Sequence, residues 1–118
     1  METKQLGNSG ENAILEFLKK QNFKILEKNY RTKLGEIDII AIKENVLSFI
    51  EVKTRKNAYF PISQVVNYTK QQKIIKTAKI YIQKNDIFDT ICRFDVATVL
   101  FQDNYYKIDY IENAFQEY

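Results

Sequence analysis

Two short segments, Glu36-Ile-Asp38 and Glu51-Val-Lys53, set carboxylates and an amine two residues apart inside stretches rich in Ile, Val and Phe. In an extended strand, residues two apart share a face, so each segment turns its polar pair to one side. A two-residue loop at Glu44-Asn45 would pair Ile42 with Leu47, Ile40 with Phe49, Asp38 with Glu51 and Glu36 with Lys53, all on one face. Near the loop this register matches apolar with apolar. Farther out it sets two carboxylates opposite each other, roughly 5 Å apart at Cβ, which destabilises the hairpin unless a cation lies between them. Asp38 and Glu51 are therefore candidate ligands of a divalent metal, with Lys53 aimed at the same space. Phosphodiester hydrolysis needs such parts: a metal to polarise phosphate and acidify a water, and a lysine to orient that water or stabilise developing charge.

Glu-x-Lys alone is cheap, since Glu2-Thr-Lys4 matches it where nothing else fits. The competing reading is a solvated hairpin face with an ordinary Glu36–Lys53 pair. What adds information is the acid on the preceding strand and the basic stretch downstream. From Val52 to Asn85 the chain carries Lys53, Arg55, Lys56, Lys70, Lys73, Lys76, Lys79 and Lys84 with no acid, so the net charge of +3 hides a one-signed segment. Such a segment is a candidate polyanion surface, with a lysine-rich solvated helix as the alternative. Lys70, Lys73 and Lys76 are its candidate phosphate contacts. Gln64 and Tyr68, one helical turn apart, could line the same groove, and Arg31 and Arg55 flank the acidic strands. Glu11 falls within the apolar stripe of a first helix, where a carboxylate wants a partner. It either joins the acidic site or closes an Asn8-x-x-Glu11 capping box. Arg93-Phe-Asp95 reads as structural.

The 118 residues contain no histidine, which removes Ser-His-Asp triads, HNH-type sites and zinc-hydrolase sites. Hydrolysis must then rest on carboxylates and lysine, and hard oxygen ligands suit Mg²⁺ or Mn²⁺. Cys92 is the only cysteine, as expected of a reducing compartment, and no apolar run approaches a membrane span. A cytoplasmic protein with nucleic acid as partner and no membrane association is expected.

The elements that must position these residues follow from patterning. Ile14, Leu15, Phe17 and Leu18 mark an amphipathic helix from Asn8 to Lys20, with Asn8 as N-cap. Strands are expected from Phe23 to about Arg31, over Glu36–Ile42 and over Val46–Lys53. Pro61 starts a second helix running to about Lys84, with Ile74, Ile75, Ala78, Tyr81 and Ile82 facing the core. Strands at Cys92–Phe101 and Tyr105–Ile111, joined by an Asp103-Asn104 turn, complete an α-β-β-β-α-β-β order. Apolar residues on both faces of the hairpin strands argue a covered sheet in an α/β fold, with residues 1–118 as one domain.

Gly10-Glu11, Asn29-x-Arg31, Gly35-Glu-Ile-Asp38, Glu51-Val-Lys53-Thr-Arg55, Lys70, Arg93-Phe-Asp-Val96 and Asn113-Ala-Phe115 resemble the YraN-like family of uncharacterised bacterial proteins. The match runs nearly end to end. That family is similar to the restriction-endonuclease-like superfamily, which includes archaeal Holliday-junction resolvases. The resemblance implies a core α-β-β-β-α-β, here with an extra C-terminal strand, as a mixed sheet flanked by helices. It also implies Asp38, Glu51 and Lys53 as catalytic positions and Glu11 as an additional acid; the expected substrate is nucleic acid, DNA ahead of RNA, with duplex and structured or branched molecules both open. One departure is Phe60, where family members often have Gly next to a Phe. An inactive nucleic-acid-binding or adaptor domain on the same scaffold is the alternative function, a protein-interaction module a weaker third, and the oligomeric state, homodimer or not, stays open.

Overall fold

The computed structural model describes residues 3–55 and 66–117, with side chains from Ser9 onward. Helix α1 (Thr3–Lys20) is followed by strands β1 (Lys24–Thr32), β2 (Gly35–Lys43) and β3 (Val46–Arg55), helix α2 (Tyr68–Lys84), and strands β4 (Ile91–Gln102) and β5 (Tyr105–Phe115). The strands form one sheet in sequential order. All neighbours are antiparallel except β3 and β4, which run parallel from Val46↔Ile91 to Arg55↔Leu100. A parallel pair needs a crossover, and α2 lies in that connection.

Two apolar clusters cover the two faces. Ile37, Ile40, Leu47, Phe49, Val96 and Phe115 pack with the α2 residues Ile74, Ile75, Ala78 and Tyr81. Ile39, Ala41, Ile50, Ala97 and Val99 pack with the α1 residues Ala13, Ile14 and Leu18. Helix α1 ends where Asn22 takes φ 70° and the Phe23 N–H reaches back to the Leu18 carbonyl at 2.9 Å, a left-handed C-terminal cap. The β2–β3 turn places Glu44 and Asn45 at φ 49° and 63°, the two left-handed residues of a tight hairpin.

The sequence-based elements hold, with four corrections. Helix α1 begins at Thr3, so Asn8 lies inside it and offers no free helix end to cap; the Asn8–Glu11 capping box is thereby overturned. The start expected at Pro61 lies outside the described residues, and α2 begins at Tyr68, where the Asn67 side chain accepts the Lys70 N–H at 2.9 Å. Strand β5 continues past Ile111 to Phe115, with a break in register between Ile111 and Phe115 and Asn113 at φ 52°. Finally, the β2–β3 ladder keeps the expected pairs Ile42↔Leu47 and Ile40↔Phe49 but stops at Ile39↔Ile50.

Candidate functional site

The end of that ladder makes the site. Ile37 belongs to the α2-side cluster and Ile39 to the α1-side cluster, although strict alternation would put both on one face. The slip falls at Asp38. Its Oδ2 accepts the Val52 N–H at 2.8 Å, so a side chain takes the place of a backbone acceptor where the strands part. Asp38 and Glu51 therefore meet through their carboxyls, not as ladder partners.

Glu51 is buried, and the Lys70 Nζ sits 3.3 Å from its Oε2. Burial first, then the hydrogen bond to Asp38 and the Asp38 charge, push its pKa up to about 9, while Lys70 pulls the other way. In the metal-free protein a protonated Glu51 thus shares its proton with Asp38, which relieves the confrontation of charges. Glu11 is half-buried and also raised, by desolvation first and then by Asp38 and Glu36, with Arg31 opposing. Gly10 brings it there: a Cβ at that position would lie 1.8 Å from Thr54 Oγ1, so only glycine lets α1 cross β3 this closely.

The remaining candidates divide. Lys53 is exposed two residues beyond Glu51 and makes no ion pair among the described residues. The Glu36 expected to anchor it pairs with Arg31 instead, at 3.0 Å, because β2 has already parted from β3 at that point. Arg31 is thereby a largely exposed residue at the rim. Arg55 closes β3 opposite Leu100, half-buried. Lys70 and Lys73 line an open cleft of about 430 Å³ with Gly35, Glu36, Asn67, Thr69 and Ile74. Gly35 lets the strand turn pass under α2, since a Cβ there would meet Lys73 Cβ and Thr77 Oγ1 at 3.1 Å. Lys76 is exposed one turn farther along α2 and outside the cleft lining. Gln64 lies outside the described residues, and Tyr68 opens α2 directly after the non-helical Val66 and Asn67.

Lys70 is the residue that the sequence placed only in part. Its basic context marked it for phosphate, but its contact with Glu51 depends on where α2 starts. Asp95 is the structural acid that its motif suggested. Fully buried, it accepts from Arg93 Nε at 2.9 Å, from the Asn113 N–H at 2.9 Å and from the Tyr110 hydroxyl. Burial opposes the Arg93 charge and Asp95 more than restores it.

Oxygen donors from Asp38 and Glu51, with Glu11 electrostatically coupled to Asp38, fit a hard divalent cation, which would replace the shared proton. Among the described residues no three acidic, cysteine or histidine side chains converge into a ready cage, so water or substrate oxygens must complete any coordination shell.

The chain matches the model of the uncharacterised protein family UPF0102 over residues 10–99. It is 45% identical over 114 residues to a UPF0102 protein of Alkaliphilus metalliredigens, covering 96% of this chain and 99% of the relative. It is 41% identical over 118 residues to one of Caldicellulosiruptor saccharolyticus, covering 98% and 100%. A UPF0102 protein of Clostridioides difficile is 44% identical over 116 residues, again covering 98% and 100%. The chain belongs to this family, and its mixed sheet between helices is consistent with the restriction-endonuclease-like superfamily.

Proposed function

From that membership and this site, we propose that the chain is a metal-dependent nuclease that hydrolyses nucleic-acid phosphodiester bonds, with DNA, structured or branched, as its substrate. The observation that carries the reading is Glu51, a buried carboxyl held against Asp38 with the Lys70 Nζ 3.3 Å from its Oε2. Asp38 and Glu51 hold Mg²⁺ or Mn²⁺, and Glu11 supports the pair from α1. The metal supplies polarisation of the phosphate and a more acidic water. Lys53, exposed and unpaired among the described residues, orients the attacking water. Lys70 balances the charge of Glu51, while Lys73 and Lys76 continue the positive surface along α2, with Arg31 and Arg55 at the flanks. The single cysteine suits a reducing, cytoplasmic setting.

Mn²⁺ titration followed by calorimetry tests the site. Binding is expected in the wild type and lost in Asp38→Asn and Glu51→Gln; equal binding in all three would remove the proposed ligands. Nucleic-acid affinity should fall steeply with salt, and each of Lys70, Lys73 and Lys76 replaced by Ala should reduce the slope of log K against log salt by about one.

The second reading, a non-catalytic nucleic-acid-binding or adaptor domain, is favoured by the absence of a ready three-carboxylate cage among the described residues. It predicts salt-dependent binding without Mn²⁺ binding or cleavage.

A further inference from the structure

The sheet has two outer strands, and they differ. In β1 the register shifts between Ile25 and Glu27, and Asn29 adds a left-handed residue at φ 52°. Irregularities of this kind blunt an edge. Strand β5 instead pairs with β4 without interruption from Gln102↔Tyr105 to Val96↔Ile111, and no further strand lies beside it among the described residues. The turn at Asp103-Asn104 makes Gln102 and Tyr105 a hydrogen-bonded pair. Antiparallel alternation then aims the backbone groups of Tyr106, Ile108 and Tyr110 away from β4.

We propose that β5 is a self-complementary interface, pairing antiparallel with β5 of a second copy about a two-fold axis at Ile108. Centring on Ile108 pairs outward-facing groups with outward-facing groups: Ile108 with its counterpart, and Tyr106 with Tyr110 of the second copy. Between them, Lys107 stands opposite Asp109 of the second copy, twice by symmetry, and Tyr105 opposite Ile111. Lys107 and Asp109 are exposed, and Tyr105 and Tyr106 are 62% and 49% exposed, large for aromatic side chains. The register joins opposite charges and covers apolar surface at once, whereas centring on Tyr106 or Tyr110 separates Lys107 from Asp109. Side chains of Tyr106, Ile108 and Tyr110 share the face that β5 presents beside Phe101, Val99 and Ala97, so the α1-side apolar layer continues across the axis. The axis stands perpendicular to the joined sheet and keeps both α2 faces on one side. Two acid pairs would then address one nucleic-acid surface, a consequence that rests on the nuclease reading; the dimer itself does not.

Sedimentation velocity of the full chain over a concentration series tests the interface, with circular dichroism to establish that each variant keeps its fold. The wild type should show a concentration-dependent dimer. Lys107→Asp and Asp109→Lys, each bringing like charges together twice, should weaken self-association about tenfold or more. The double variant carrying both changes restores opposite charges and should recover it. A wild type that stays monomeric throughout, single variants that dimerise as well as the wild type, or a double variant that fails to recover would each overturn the proposal.

Discussion

Replacing Glu51 by Gln should change how the stability of the metal-free protein depends on pH. The carboxyl titrates near 4.5 in an unfolded chain and is pushed up to about 9 in the fold, by burial and by Asp38. Between those values the native state holds one proton more than the unfolded state, so stability falls as pH rises. It is highest below the unfolded value and lost progressively up to the folded one. One excess proton corresponds to about 1.4 kcal/mol per pH unit, so between pH 5.5 and pH 7.5 the wild type should lose about 3 kcal/mol relative to Glu51→Gln. Taking the difference between the two proteins cancels the titration of every group whose behaviour they share. Urea unfolding with a chelator at both pH values supplies the number. Adding Mn²⁺ should flatten the wild-type dependence, because a cation that displaces the shared proton stabilises the fold more as pH rises. Parallel pH profiles for the two proteins in chelator would refute the shared proton, and with it the argument that Glu51 awaits a cation.

Gly10→Ala should cost about 2 kcal/mol in thermal or urea unfolding, because its Cβ would strike Thr54 Oγ1, and Thr54→Ala in the same chain should recover part of the loss. Asp95→Asn should cost about 3–5 kcal/mol by urea unfolding, since it removes the buried charge facing Arg93 and replaces one of the two accepting oxygens shared by Arg93 and Tyr110 with a donating amide, yet it should leave Mn²⁺ affinity unchanged. Ser48→Ala should leave stability unchanged or raise it by about 1 kcal/mol in the same assay. The Ser48 hydroxyl is buried without a hydrogen-bond partner among the described residues.

Much of this was legible in the sequence because the information is local. The two-residue loop at Glu44-Asn45 fixed the β2–β3 register, and helical spacing named Ile14, Leu18, Ile74, Ile75 and Ala78 as core. Local patterning also produced the errors. Asn8 is a good cap by type, but cap preference is small against the continuing helix that precedes it. Extending the hairpin register outward predicted a Glu36–Lys53 pair. It failed because the Asp38 side chain competes successfully for the Val52 N–H and ends the ladder, a tertiary event with no periodic signature. The same holds for the Lys70–Glu51 contact, which joins residues from a strand and a helix whose crossing no spacing rule specifies. Gly10-Glu11 was visible as a pair, but the reason for the glycine, its approach to Thr54, was not.

Nuclease activity at Asp38, Glu51 and Lys53 is put to the test by a cleavage assay with Mg²⁺ on duplex, single-stranded and branched nucleic acids, comparing wild type with Asp38→Asn and Lys53→Ala. Mg²⁺-dependent cleavage of at least one substrate is expected of the wild type, and should be abolished in both variants while their folds persist. Cleavage by the variants at the wild-type rate, or none by the wild type on any substrate with Mg²⁺ or Mn²⁺, would contradict the nuclease reading.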